Sequence, residues 1–115
     1  MTSVSTHVLD TSAGRPAADI AVHLAVRAAG DAPWVPHGAS ATDADGRCKD
    51  LPALPGGTAH ARLEFATGPY LARTGAGDGG AFFPEVAVVL AVEPGEHYHV
   101  PLLLNPFGYS VYRGS

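Results

Sequence analysis

Residues 19–27 read "DIAVHLAVR", and their strict alternation constrains the fold more than any other feature of the chain. Successive side chains of an extended strand point to opposite faces. Ile20, Val22, Leu24 and Val26 therefore share one face, and Ala21, His23, Ala25 and Arg27 the other, the pattern of a half-buried strand. "SVSTHVL" alternates more weakly, with Val4, Thr6 and Val8 on one face and Ser3, Ser5, His7 and Leu9 opposite. "EVAVVLAV" is apolar on both faces and reads as a central strand covered on both sides. "HYHVPLLLN" and "GYSVYR" form a C-terminal pair joined by a turn at Asn105, Pro106 and Gly108.

Turn signals punctuate the remainder. "DTSAGRP" links the first two strands, "DADGR" carries an Asp-Gly turn, and "LPALPGG" is a loop. "GPYLARTGAGDGG" holds one short helical turn at Pro69 to Arg73, which the following glycines stop. No segment sustains a helical period. Short strands and turns over this length predict one all-β sandwich domain spanning residues 1–115. Pro101 falls inside a strand pattern, and a proline cannot donate to a ladder. Its position is expected at an edge or bulge, or with its nitrogen facing away from a neighbouring strand.

Composition narrows the partners. With 46% hydrophobic and only 16% charged residues, the chain has too little polar surface to cover a monomer, which predicts an oligomer. A formal net charge of −4, with seven Lys and Arg residues scattered along the chain, argues against nucleic acid. The N-terminus lacks the charged and apolar regions of a signal peptide. "VAVVLAV" is too short to span a membrane. Cys48, the only cysteine, excludes an intramolecular disulfide framework and fits a reducing compartment. The chain is expected to be cytoplasmic.

Six histidines carry most of the chemical potential. His97 and His99 share one face of their strand and fit either an acid/base pair or two ligands of an H-x-H metal site, to which His7 could add a third. His7 itself suits a catalytic base or a solvated strand face. Arg47, after the Asp-Gly turn, suits an anionic or carbonyl-rich substrate. Tyr112, Arg113, Gly114 and Ser115 read as a terminus packed against something. His23, His37 and His60 read as structural or surface residues. Asp43, Asp45 and Asp50 read as turn residues, because the spacing of a calcium loop is absent. The glycines of "GAGDGG" lack the strand and helix of a phosphate cradle.

Taken together, "THVLDTSAGRPA", "TDADGRC", "FFPEVAVV" and "HYHVPLLLNPFGYSVYRGS" resemble the 5-hydroxyisourate hydrolases of the transthyretin-related family, from about Ser5 to Ser115. The terminal Tyr-Arg-Gly-Ser is the most specific part of that resemblance, since hormone-carrier transthyretins do not end this way. It implies a prealbumin-like sandwich of two four-stranded sheets with one short helix. It also implies a homotetramer, a dimer of dimers whose central channel holds the active sites.

The implied catalytic residues are His7, Arg47 and His99. His97, Tyr112, Arg113, Gly114 and Ser115 would line the substrate pocket, and an extension beyond Ser115 would obstruct it. The implied reaction is hydrolysis of 5-hydroxyisourate to 2-oxo-4-hydroxy-4-carboxy-5-ureidoimidazoline in urate degradation, with no metal or organic cofactor because the carbonyl is already activated. Two other readings stand beside it. One is a small-molecule carrier using the same channel, which would have no use for His7, Arg47 and His99 together; the other is an H-x-H metal hydrolase.

Overall fold

The computed structural model describes residues 1–75 and 81–115. Its elements in chain order are β1 (Ser3–Asp10), β2 (Arg15–Pro16), β3 (Ala21–Arg27), β4 (Val35–Ala41), β5 (Arg47–Cys48), β6 (His60–Phe65), α1 (Thr67–Arg73), β7 (Val86–Ala91), β8 (His97–Asn105) and β9 (Gly108–Val111). They form two sheets, as expected from the alternation and the turns. One has the order β4-β3-β6-β7; the other runs β2-β1-β8-β9, with β5 also paired to β1.

The second sheet contains five strands, yet it is four positions wide. β2 pairs with Leu9 and Asp10, while β5 pairs with Thr6 and His7. Two dipeptide strands thus share one edge of β1. The other edge of β1 pairs with β8 in parallel.

The inward faces of the two sheets make the core. Val8, Val22, Leu24, Leu63, Phe65, Leu102 and Leu104 are essentially inaccessible, and each such side chain contributes roughly 1.5–3 kcal/mol relative to exposure. The alternation of β3 holds at Val22, Leu24 and Val26, which are buried, and at His23, which is exposed, whereas Ala25 on the opposite face is buried as well. Among the described residues no helix is long and apolar enough to cross a membrane.

Three expectations change in detail. The helix begins two residues earlier than expected, at Thr67, whose hydroxyl donates to the Phe83 carbonyl at 2.6 Å. The end of the glycine run thought to stop it, residues 76–80, lies outside the described residues. β7 was expected at the centre of a sheet, but it is an edge strand. Val86 is buried, whereas Val89 on the outward face is 53% exposed. Four strands, the short β2 and β5 and the longer β4 and β6, add to those expected. β4 is an edge strand that tolerates Pro36 beside its own bulge, where His37 is the extra residue opposite Leu24 and Ala25 of β3.

One buried polar cluster ties the helix to the sheet. Asp10 is 4% exposed; its carboxylate accepts the Tyr70 hydroxyl at 2.7 Å and bonds from Ser12 and Ala13. Burial alone would raise its pKa, but these bonds outweigh that and leave it lowered. Burial and the Asp10 carboxylate push Tyr70 up to about 12.

Tyr70→Phe should therefore destabilise the fold by about 1.5–3 kcal/mol, the scale of a hydrogen bond to a charged group, measured by urea unfolding at pH 7. The Asp10 contribution is complete above the ordinary 3.8 and is lost as pH falls through the lower folded-state value. The difference between the two proteins should narrow in that acid range.

Candidate active site

The parallel pairing of β1 with β8 builds the site. Its register sets Ser3 opposite His97, Ser5 opposite His99 and His7 opposite Pro101. Because the strand period is two, these side chains line the outer face of the sheet. Val4, Thr6 and Val8 of β1, with Tyr98, Val100 and Leu102 of β8, lie in the core. β5 adds Arg47 opposite His7, while Cys48 turns inward. His7, Arg47, His97 and His99, far apart in sequence, thus share one face.

The Asp-Gly turn places Arg47. Asp43 Oδ1 accepts the backbone N–H groups of Asp45 and Arg47 at 2.9 and 3.0 Å, and the Asp43 carbonyl accepts Gly46 N–H at 2.9 Å. Gly46 has φ +74°, and a Cβ there would collide with the Val8 carbonyl. Its own carbonyl accepts Val8 N–H at 2.7 Å. The glycine lets the turn lie directly against β1.

His7 Nε2 lies 2.9 Å from the Asp45 carbonyl. A carbonyl can only accept, so Nε2 carries the proton and Nδ1 is the free nitrogen. On β8, Ser5 Oγ lies 2.9 Å from His99 Nδ1 and 3.0 Å from His97 Nε2, and Ser3 Oγ lies 2.6 Å from His97 Nδ1. His99 is held below the ordinary imidazole pKa, first by burial, then by the Arg47 charge and by electrostatic coupling to His7 and His97. A neutral His99 with one nitrogen engaged by Ser5 has the properties of a general base.

The C-terminal segment closes over this face from one side. β9 pairs with β8 only from Leu102 to Asn105. His99 and Pro101 have the same strand parity and direct their backbones to the same edge. Pro101 has no N–H to offer the ladder, which ends there. Pairing resumes once, where Gly114 N–H donates to the His99 carbonyl at 2.8 Å. A Cβ on Gly114 would sit 2.7 Å from His99 Cδ2 and 3.1 Å from the Pro101 ring. Only glycine lets the chain lie flat against the imidazole.

The other terminal residues lie toward the rim. Arg113 stacks 4.9 Å above the Tyr98 ring and is 3.8 Å from Glu96. Arg113 and Tyr98, with Tyr112, Leu90, Val88 and His99, line a cleft of about 220 Å³ between the edges of the two sheets. Ser115 is exposed. His7, His97 and Arg47 lie outside this cleft on the open sheet face.

Of the histidines set aside as structural or surface, His23 is exposed and the other two have ordinary partners. His37 Nε2 bonds to the Ala53 carbonyl at 2.6 Å, and His60 Nδ1 accepts from Arg27 at 2.9 Å. Among the described residues no three His, Cys, Asp or Glu side chains are grouped as a metal site requires. Ser3 and Ser5 were not singled out from the sequence, although their parity with His7 in "SVSTH" was visible.

Residues 4–114 match the model of the HIUase/Transthyretin family. The uric acid degradation bifunctional protein TTL of Arabidopsis thaliana is 43% identical over 128 residues, covering 97% of this chain. This chain spans only 37% of that relative's length. The 5-hydroxyisourate hydrolase of Caulobacter vibrioides is 38% identical over 117 residues, covering 100% of both proteins. The structure of Klebsiella pneumoniae 5-hydroxyisourate hydrolase is similar with a TM-score of 0.79 and 32% identity, over 100% of each chain.

Proposed function

Because the chain belongs to the HIUase/Transthyretin family, we propose that it is an enzyme hydrolysing 5-hydroxyisourate in urate degradation, with residues 1–115 acting as one domain. The observation that carries this reading is the convergence of His7, Arg47 and His99 on one sheet face. Full-length relatives bearing the hydrolase name support it.

Water attacks the carbonyl beside the hydroxylated carbon and the six-membered ring opens at the adjacent C–N bond. His99 takes the proton from water at Nε2, since Nδ1 is engaged by Ser5. Arg47 stabilises the oxyanion as it develops. His7, anchored through Nε2 on Asp45, acts in its imidazolium form and donates the Nδ1 proton to the departing nitrogen, and the proton taken up by His99 passes through solvent to restore His7. His97, Tyr112, Arg113, Gly114 and Ser115 bind and enclose the substrate. Each of these steps uses side chains of the protein and the solvent alone.

The open face and the apolar rim support assembly as a homotetramer. Phe82, Val89, Phe107, Tyr109 and Val111 are exposed, and Phe82, Phe83 and Tyr109 form successive edge-to-face pairs. Copies joined along the β7 and β9 edges, then paired across the histidine face, would cover both surfaces. A buried free Cys48 fits the reducing cytoplasm as its location.

The test is direct: 5-hydroxyisourate is generated from urate with urate oxidase and its ultraviolet decay followed with and without the protein. Accelerated decay by a species of four times the 11.8 kDa chain mass is expected. A folded protein that leaves the decay rate unchanged would overturn the hydrolase reading and put a carrier in its place.

A further inference from the structure

We propose that Ser5 is a positioning residue for His99, its single hydroxyl proton deciding which nitrogen of that ring is free to act as the base. This rests on the hydrolase reading for its consequence, but its geometric ground is independent. Ser5 is 8% exposed, so water competes little for its hydroxyl. That hydroxyl stands between two imidazoles, 2.9 Å from His99 Nδ1 and 3.0 Å from His97 Nε2. Ser3 Oγ terminates the chain 2.6 Å from His97 Nδ1.

A hydroxyl donates once, and each neutral imidazole carries one N–H. The chain Ser3–His97–Ser5–His99 therefore has two fully bonded arrangements. In the first, Ser3 donates to His97 Nδ1, His97 Nε2–H donates to Ser5, and Ser5 donates to His99 Nδ1. His99 then carries its proton on Nε2, and neither nitrogen offers a free lone pair. In the second, every bond is reversed. His99 Nδ1–H donates to Ser5, Ser5 donates to His97 Nε2, and His97 Nδ1–H donates to Ser3. His99 Nε2 is left as a free acceptor.

Only the second arrangement can take a proton from water. It also needs no rearrangement when it does so, because the imidazolium keeps the same Nδ1–H bond to Ser5. Gly114 holds the His99 backbone and limits the space beside Cδ2, leaving tautomer selection to the hydroxyl. His97 is thereby a participant in positioning through Ser5, a role distinct from substrate contact.

The experiment compares the full-length wild type with Ser5→Ala and Ser5→Thr, using unfolding temperature to confirm the fold. Imidazole nitrogen NMR above the titration range should show His99 protonated on Nδ1 in the wild type and in Ser5→Thr, with that preference lost in Ser5→Ala. In the decay assay, Ser5→Ala should lower kcat about tenfold or more, the scale of one hydrogen bond to an ionised partner, with KM little changed. The acid limb of its pH profile should move to lower pH, because the cationic ring loses an acceptor. The other groups near that ring, His7 on β1, Arg47 on β5, His97 on β8 and Arg113 after β9, are unchanged in both variants. Ser5→Thr should restore rate and profile.

Wild-type kcat and an unchanged His99 tautomer in Ser5→Ala would overturn the proposal, as would a folded Ser5→Thr that behaves like Ser5→Ala. If the wild type itself does not accelerate decay, the hydrolase reading fails, and the nitrogen spectra alone decide whether Ser5 selects the tautomer.

Discussion

His99→Ala should reduce turnover of 5-hydroxyisourate by about a hundredfold or more, the usual scale for an acid/base group. Its unfolding midpoint should stay near that of the wild type, since His99 lies on the outer face and contributes nothing to the core. Arg47→Ala should cost a similar factor through the oxyanion. Arg47 is exposed, so the fold should again persist.

The pH profile distinguishes the two variants mechanistically. A base must be deprotonated, and His99 is held below 6.5 by burial and then by Arg47, His7 and His97. Wild-type kcat/KM should therefore persist as pH falls past 6.5 and decline only below it. Removing the Arg47 charge removes one cause of that lowering, so the acid limb of Arg47→Ala should move upward. An unmoved limb would separate Arg47 from His99 electrostatically. Near-normal turnover in either variant would remove that residue from the mechanism.

Gly114→Val should cause the second large loss, on the order of a hundredfold, the cost of moving a reacting group by about an ångström. The first added carbon already falls 2.7 Å from His99 Cδ2. Either the imidazole turns away or the terminal segment lifts from β8 and the bond to the His99 carbonyl breaks. Both outcomes misplace the base without touching the core. kcat should fall with an unchanged unfolding temperature, and full activity would mean that the Gly114–His99 bridge is absent from the working protein.

Strand parity made much of the face legible in advance. It put His97 with His99, and Ser3 and Ser5 with His7. Parity is a local property, whereas the site depends on register between residues 94 positions apart. Nothing in "HYHVP" specifies that its partner is β1 or that the pairing is parallel; the resemblance, through whole motifs, supplied the union of His7, Arg47 and His99. The β7 expectation failed for a related reason. A strand apolar on both faces suits a covered centre or an edge that another copy will cover, and one chain's pattern is the same for both. Ser5 escaped notice because serine on a strand is unremarkable until two ring nitrogens lie within 3.0 Å of it.

The parallel union of β1 with β8 also sets an order of events in time. At 5–20 residues per second, a ribosome needs roughly 5–20 s after making β1 before β8 exists to pair with it. During that interval one edge of β1 has no native partner, and Ser3, Ser5 and His7 belong to no site. Closing so long a loop is a slow step in folding. Hydrolase activity regained from denaturant should consequently trail the return of β structure, making turnover a clock for the moment when the two ends of the chain meet.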